Sequence, residues 1–169
     1  MLEIWAREIP NLDPLTEGIV ERIEHLAKAF DRSLEETLAA SGLDRRSFKV
    51  LAKLRAVGPP YQRSAGQLAE RMRLSSGAMT NRLDQMEAAG WVRRLPDPND
   101  RRGTLVEPTE EGNAVWERTA GTQAIREARI SSALDATDRV ELNRLLRALM
   151  RGFPPEGHGA PSATAETEG

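Results

Sequence analysis

The chain has 169 residues, 39% of them hydrophobic, with 26 acidic residues against 24 basic ones and no cysteine. That is the size of one domain with a real core, and it excludes disulfides, thiolate zinc sites and thiol redox sensing; with only His25 and His158 to supply imidazole, no metal or other cofactor is expected. No run approaches the roughly 18 to 20 apolar residues of a membrane-spanning helix, and the opening MLEIWAREIP carries acids where an export signal has a basic region, so a cytoplasmic protein is expected.

In chain order, Trp5 and Ile9 ahead of Pro10 predict a short first helix. Residues 14–41 place Leu15, Ile19, Ile23, Leu26, Phe30, Leu34 and Leu38 at spacings of three and four, a long amphipathic helix. At about 1.5 Å per residue it runs roughly 40 Å, longer than the chain's own core needs, so part of it is expected on a partner. After Ser41-Gly42, Asp44 caps a second helix with Phe48, Val50, Leu51, Leu54 and Val57 on its apolar face, ending at Gly58-Pro59-Pro60. Ser64 caps a short helix with Leu68, Ala69 and Met72 inward, and Leu74-Ser75-Ser76-Gly77 turns the chain into another that runs to Ala89-Gly90. Two short helices about a tight polar turn make a helix-turn-helix.

WVRRL and TLVE then predict two short strands joined by PDPNDRRG, whose residues favour turns, and a strand-loop-strand in that place is a wing. Thr109 caps a helix with Glu110 and Glu111 in its first turn, continuing through Val115 and Trp116 towards Ile130. Thr137 caps the last helix, with Val140, Leu142, Leu145, Leu146, Leu149 and Met150 apolar, and the tail from Gly152 is expected to be disordered.

Charge follows this division. Residues 1–43 carry a formal −5, residues 44–103 carry +7 and residues 104–169 carry −4; a basic centre between acidic flanks is the footprint of one face meeting a polyanion. On a helical wheel Met79, Leu83 and Met86 form the core side of the second helix of the pair, and Gly77, Asn81 and Asp84, flanked by Thr80, Arg82 and Gln85, form the outer side. Short polar groups with paired donors and acceptors are what base edges in a major groove require, while Ser75, Ser76 and the first backbone N–H groups suit phosphate oxygens. An ordinary solvated face has a similar composition; the wing argues for DNA. Arg101 and Arg102 at the hairpin tip build no core but suit a minor groove, with Asp100 fixing the aim of an arginine.

The run LSSGAMTNRLDQMEAAGWVRRLPDPNDRRGTLVEPTEEG resembles the recognition helix and wing of the MarR family of bacterial transcription regulators, most specifically at Asp97-Pro98-Asn99-Asp100-Arg101-Arg102. The resemblance spans about residues 14–151. It implies a mainly α winged helix-turn-helix fold in which residues 1–43 and 109–151 form a dimerisation domain, residues 44–108 the DNA-binding lobe and residues 152–169 a disordered tail. It also implies DNA contacts from Thr80, Asn81 and Arg82, and entry of Arg102 into the minor groove. Ser64, Ser75, Ser76, Gly77 and Arg101 complete the expected DNA-facing set. Pro108 stands where the family usually has leucine, which puts the last rung of the strand at issue. Within the family the pattern is similar to the urate-responsive branch, whose ligand residues map to Trp5, Lys49, Arg82 and Arg94; Lys49 departs, standing where that branch has an aspartate.

The expectation is a homodimeric, non-enzymatic regulator, a repressor of a pseudo-palindromic double-stranded DNA operator, released by an anionic aromatic or phenolic small molecule. The alternative is a winged-helix protein-interaction module.

Overall fold

A computed structural model describes residues 13–98 and 100–152, and of Arg101 and Arg102 the backbone alone. The short helix expected around Trp5 and the tail after Gly152 lie outside the described residues. Among those described there are six helices and three strands: α1 (Pro14–Ala40), α2 (Arg45–Arg55), β1 (Arg63–Ser64), α3 (Ala65–Met72), α4 (Ser76–Ala88), β2 (Val92–Asp97), β3 (Asp100–Pro108), α5 (Glu110–Ser131) and α6 (Ala136–Met150). No described helix is long and apolar enough to cross a membrane.

Local chemistry sets the boundaries. Asp13 accepts the backbone N–H groups of Leu15 and Thr16, and Pro14 fills the first helical position, where a missing N–H costs nothing. At the other end of α1, Gly42 takes a φ of +69° and the N–H groups of Gly42 and Leu43 return to Ala39 and Leu38, satisfying carbonyls the helix leaves open. The same device ends α4, where Gly90 has φ +75°, its N–H reaches Glu87 O, and that of Trp91 reaches Met86 O at 2.9 Å. The chain therefore leaves α4 at a defined angle and enters β2 at once.

Leu38 and Leu43, the α2 residues Val50, Leu51 and Leu54, Leu68 of α3, the α4 trio Met79, Leu83 and Met86, and Val92, Val106 and Val115 form one buried cluster. Each such side chain is worth about 1.5 to 3 kcal/mol of burial. The apolar face expected of α2 holds except at Val57, which is 39% exposed. The helix stops at Arg55, so Val57 has left its periodicity.

The sheet has the order β1-β3-β2, all antiparallel. The sequence predicts only β2 and β3; β1 is two residues long, Arg63 opposite Val106 and Ser64 opposite Leu105, too short to show alternation. Both hairpin strands run further than expected, so Asp97 pairs with Asp100 and the tip is narrow; Arg101 and Arg102 lie within β3, not in a loop. Pro108 keeps its rung, opposite Val92.

Helix α5 is seated on the α4–β2 junction by Thr109, whose hydroxyl donates to Gly90 O at 2.6 Å and accepts the Gly112 N–H at 3.0 Å, the capping role predicted for it. A Cβ on Gly112 would stand 1.8 Å from the Trp91 carbonyl oxygen, so only glycine permits this approach. Thr37 of α1 hydrogen-bonds Gln123 of α5 at 2.9 Å in a buried site.

The chain divides into two compact units, one reaching Ala128 and one beginning at Arg129. In the second, the helix cap is Asp135, which accepts the Asp138 N–H at 2.9 Å; the expected cap, Thr137, already lies inside α6. A carboxylate placed three residues before an N–H reaches it, and Thr137 stands two residues too late.

Candidate nucleic-acid interface

The helix-turn-helix is α3, a three-residue turn and α4. Ser64 caps α3 in a reciprocal pair with Gln67: its hydroxyl accepts the Gln67 N–H at 3.2 Å, and Gln67 Oε1 accepts the Ser64 N–H at 3.1 Å. Arg73 makes the turn in the left-handed region, φ +52°, and Ser75 caps α4 by accepting the Ala78 N–H at 3.2 Å. A capping hydroxyl still has its own O–H to donate, so Ser64 and Ser75 keep a donor.

Met79, Leu83 and Met86 are the buried side of α4, as the wheel predicts, and Ser76, Gly77, Thr80, Asn81, Asp84 and Gln85 are exposed. Gly77 has an ordinary φ, and a Cβ placed there would meet nothing within 4 Å. The fold has no local need for glycine at that helical position, where it costs roughly 1 kcal/mol against alanine. What it leaves is room for another molecule to approach the backbone closely.

Arg82 is placed differently from its exposed neighbours. Its side chain is 17% exposed and turns back to α2, where one guanidinium nitrogen donates to Asp44 Oδ2 at 2.9 Å and reaches Ser47 Oγ at 3.4 Å. Asp44 simultaneously caps α2, accepting from the backbone N–H of Arg46 and Ser47 and from the Ser47 hydroxyl. Partial burial opposes ionisation of Asp44, but the hydrogen bonds of Ser47, the Arg82 charge and the Arg46 N–H together hold its carboxyl below the usual range. The sequence identifies Asp44 as a cap; its pairing with a residue 38 positions away carries no signal along the chain.

At the root of the wing, Arg94 lies back on α4. It pairs with Glu87 through Nη1 and with Asp84 Oδ1 through Nη2 at 2.6 Å, and Nη2 also reaches the Thr80 carbonyl at 3.4 Å. Its backbone N–H donates to Glu87 Oε1. Burial works against the Arg94 charge, and the hydrogen bonds of the two carboxylates outweigh it, raising the pKa further. On the next rung Arg93 pairs with Glu107, which also accepts from Gln62 at 2.6 Å; the Gln62 bond, against the burial penalty and with Arg93, lowers the Glu107 pKa.

At the tip, a Cβ on Gly103 would lie 3.0 Å from the Cβ atoms of both Asp97 and Asp100, so these two residues close over the glycine. The side chains of Arg101 and Arg102 lie outside the described ones, and with them the expected aiming role of Asp100.

Of the four residues mapped to a ligand, Trp5 lies outside the described residues. Lys49 is exposed on α2 and makes no ion pair among the described residues. Arg82 and Arg94 hold separate carboxylate sets, Asp44 for the first and Asp84 with Glu87 for the second. A shallow cleft of about 130 Å³ opens beside α4, lined by Arg46, Leu74, Ala78, Asn81, Arg82 and Gln85.

Comparison with known proteins agrees with this geometry. The profile described as the MarR family matches residues 43–104, from the start of α2 into the wing. The HTH-type transcriptional regulator PecS of Dickeya dadantii is 31% identical over 146 residues, covering 86% of this chain and 88% of PecS. The structure of a mutant MarR from E. coli in complex with operator DNA superposes with a TM-score of 0.60 at 31% identity, over 82% of this chain and 99% of that one. Sco3205 from Streptomyces coelicolor, a MarR family regulator solved in complex with DNA, reaches 0.65 at 25% identity over 86% and 91%.

Proposed function

Because the chain belongs to the MarR family, we propose that it is a dimeric transcription repressor that places one α4 in each of two successive major grooves of a pseudo-palindromic operator, with a wing in the adjoining minor groove. The observation that carries the reading is the exposed polar face of α4, with its structurally unneeded Gly77, held in one unit with the arginine-bearing hairpin. In it, Gly77, Thr80 and Asn81 meet base edges, and Ser64, Ser75 and Ser76 donate to phosphates. Arg101 and Arg102 enter the minor groove, Asp100 orients them, and the work is done in the cytoplasm. Residues 44–108 act as the reading lobe. The exposed apolar faces of α1 and α6 are buried against a second copy.

Release by a small anionic aromatic molecule belongs to the same reading. It is supported by Arg82 and Arg94, two partly buried arginines on the reading helix and at the wing root, each held by carboxylates that an anion would have to replace. Such a ligand acts only by binding one arrangement of the lobes better than the other. Arg82 in turn reaches DNA only by leaving Asp44.

The test is a gel shift at fixed salt on a duplex selected from random sequence by the wild-type protein, repeated with a panel of aromatic acids. Arg102→Ala is expected to weaken binding at least tenfold, about 1.4 kcal/mol, with the dimer intact. Unchanged affinity would sink the wing assignment, and a panel without effect would remove the ligand.

A further inference from the structure

Helix α4 is an unusual surface to offer a polyanion. Its one basic residue, Arg82, has its charge taken by Asp44, the cap of α2, while Asp84 and Glu87 remain on the helix. At about 100° per residue, Asp84 lies within roughly 60° of Gly77, Thr80 and Asn81, in the middle of the exposed face. Left alone, that carboxylate would stand among the groups meant to read bases, and the reading face would repel phosphate.

Arg94 prevents this. It reaches over from β2, placing one nitrogen 2.6 Å from Asp84 Oδ1 and a second against Glu87, and its side chain is only 27% exposed. We propose that Arg94 is a charge-masking and positioning residue: its single positive charge offsets one of the two negative charges of the reading helix and holds both carboxylates, so that this helix can lie in the groove, and it fixes the wing root to that helix. The proposal rests on the DNA-binding reading above. Its chemistry is particular to the triad, because a guanidinium can serve two carboxylates at once in fixed geometry, and a lysine cannot do so as well.

The mask and the brace are separable. Arg94→Ala removes both, and affinity for the selected duplex is expected to fall about tenfold, the size of effect typical of losing a favourable charge near a binding surface. Adding Asp84→Asn and Glu87→Gln to that variant removes the exposed negative charge without restoring the brace, and affinity is expected to return to within about threefold of wild type. Asp84→Asn with Glu87→Gln in the presence of Arg94 frees a cation at the interface. That protein is expected to bind more tightly, with a salt slope steeper by about one. Thermal unfolding and dimer sizing of each variant separate loss of fold from loss of affinity. A triple variant as weak as Arg94→Ala, or an Arg94→Ala that binds like wild type, overturns the inference alone. A folded wild-type dimer that selects no duplex overturns the DNA-binding reading and takes this inference with it.

Discussion

Asp44 shows how much one side chain does here. It caps α2 through two backbone N–H groups and gives Arg82 its counter-charge, and the second use requires the ionised form. Because its pKa is lowered in the folded state, its contribution is full above the ordinary carboxylate value and is lost as the pH falls through the lower folded value. Asp44→Asn, which keeps the cap but not the charge, should therefore differ from wild type in urea unfolding at pH 7 by more than it does near pH 3. Asp44→Ala should lose the cap as well, about 1 kcal/mol more at pH 7. An Asn variant that tracks wild type at both pH values would remove Arg82 as a stabilising partner.

Among the elements, the helix ends carry the specification. Left-handed backbone at Gly42, Arg73 and Gly90 sets the angles at which α1, α3 and α4 hand the chain on. The first and last are visible in the sequence as glycines; the middle one is an arginine and is not. The last helix offers a direct comparison of the two candidate caps. Asp135→Ala should destabilise α6 by about 1 kcal/mol, measured by amide exchange in that helix, and Thr137→Ala should change it by only a few tenths. The opposite ranking would reinstate Thr137.

In the whole molecule, the surface left over is as informative as the core. Ile23 and Leu26 of α1 and Leu145 and Leu149 of α6 are each 41–46% exposed, although they sit on regular apolar stripes. In the proposed dimer a second copy covers those stripes, and the proposed operator needs two reading lobes. Ile23→Asp and Leu145→Asp each change a position outside the buried cluster of the protomer. Either should raise the protomer concentration needed for dimerisation, read by sedimentation, and weaken operator binding by about a hundredfold or more. A variant that remains dimeric and binds normally would move the interface elsewhere.

Periodicity, caps and turn residues place the six described helices and the hairpin, the start of the last helix excepted, because each signal is local and its spacing matches the geometry of the element it makes. The MarR-like run from Leu74 to Gly112 is likewise legible in the residues, and the core trio of α4 follows from the wheel. What only the tertiary structure decided are pairings between residues distant in the chain. Arg82 meets Asp44, Arg94 meets Asp84 and Glu87, β1 adds a third strand, and Gly112 lies beneath Trp91. An arginine in a sequence is a charge of known sign with reach but no direction. Packing gives it direction, and here it turned two arginines expected at DNA or a ligand back onto carboxylates of the protein itself.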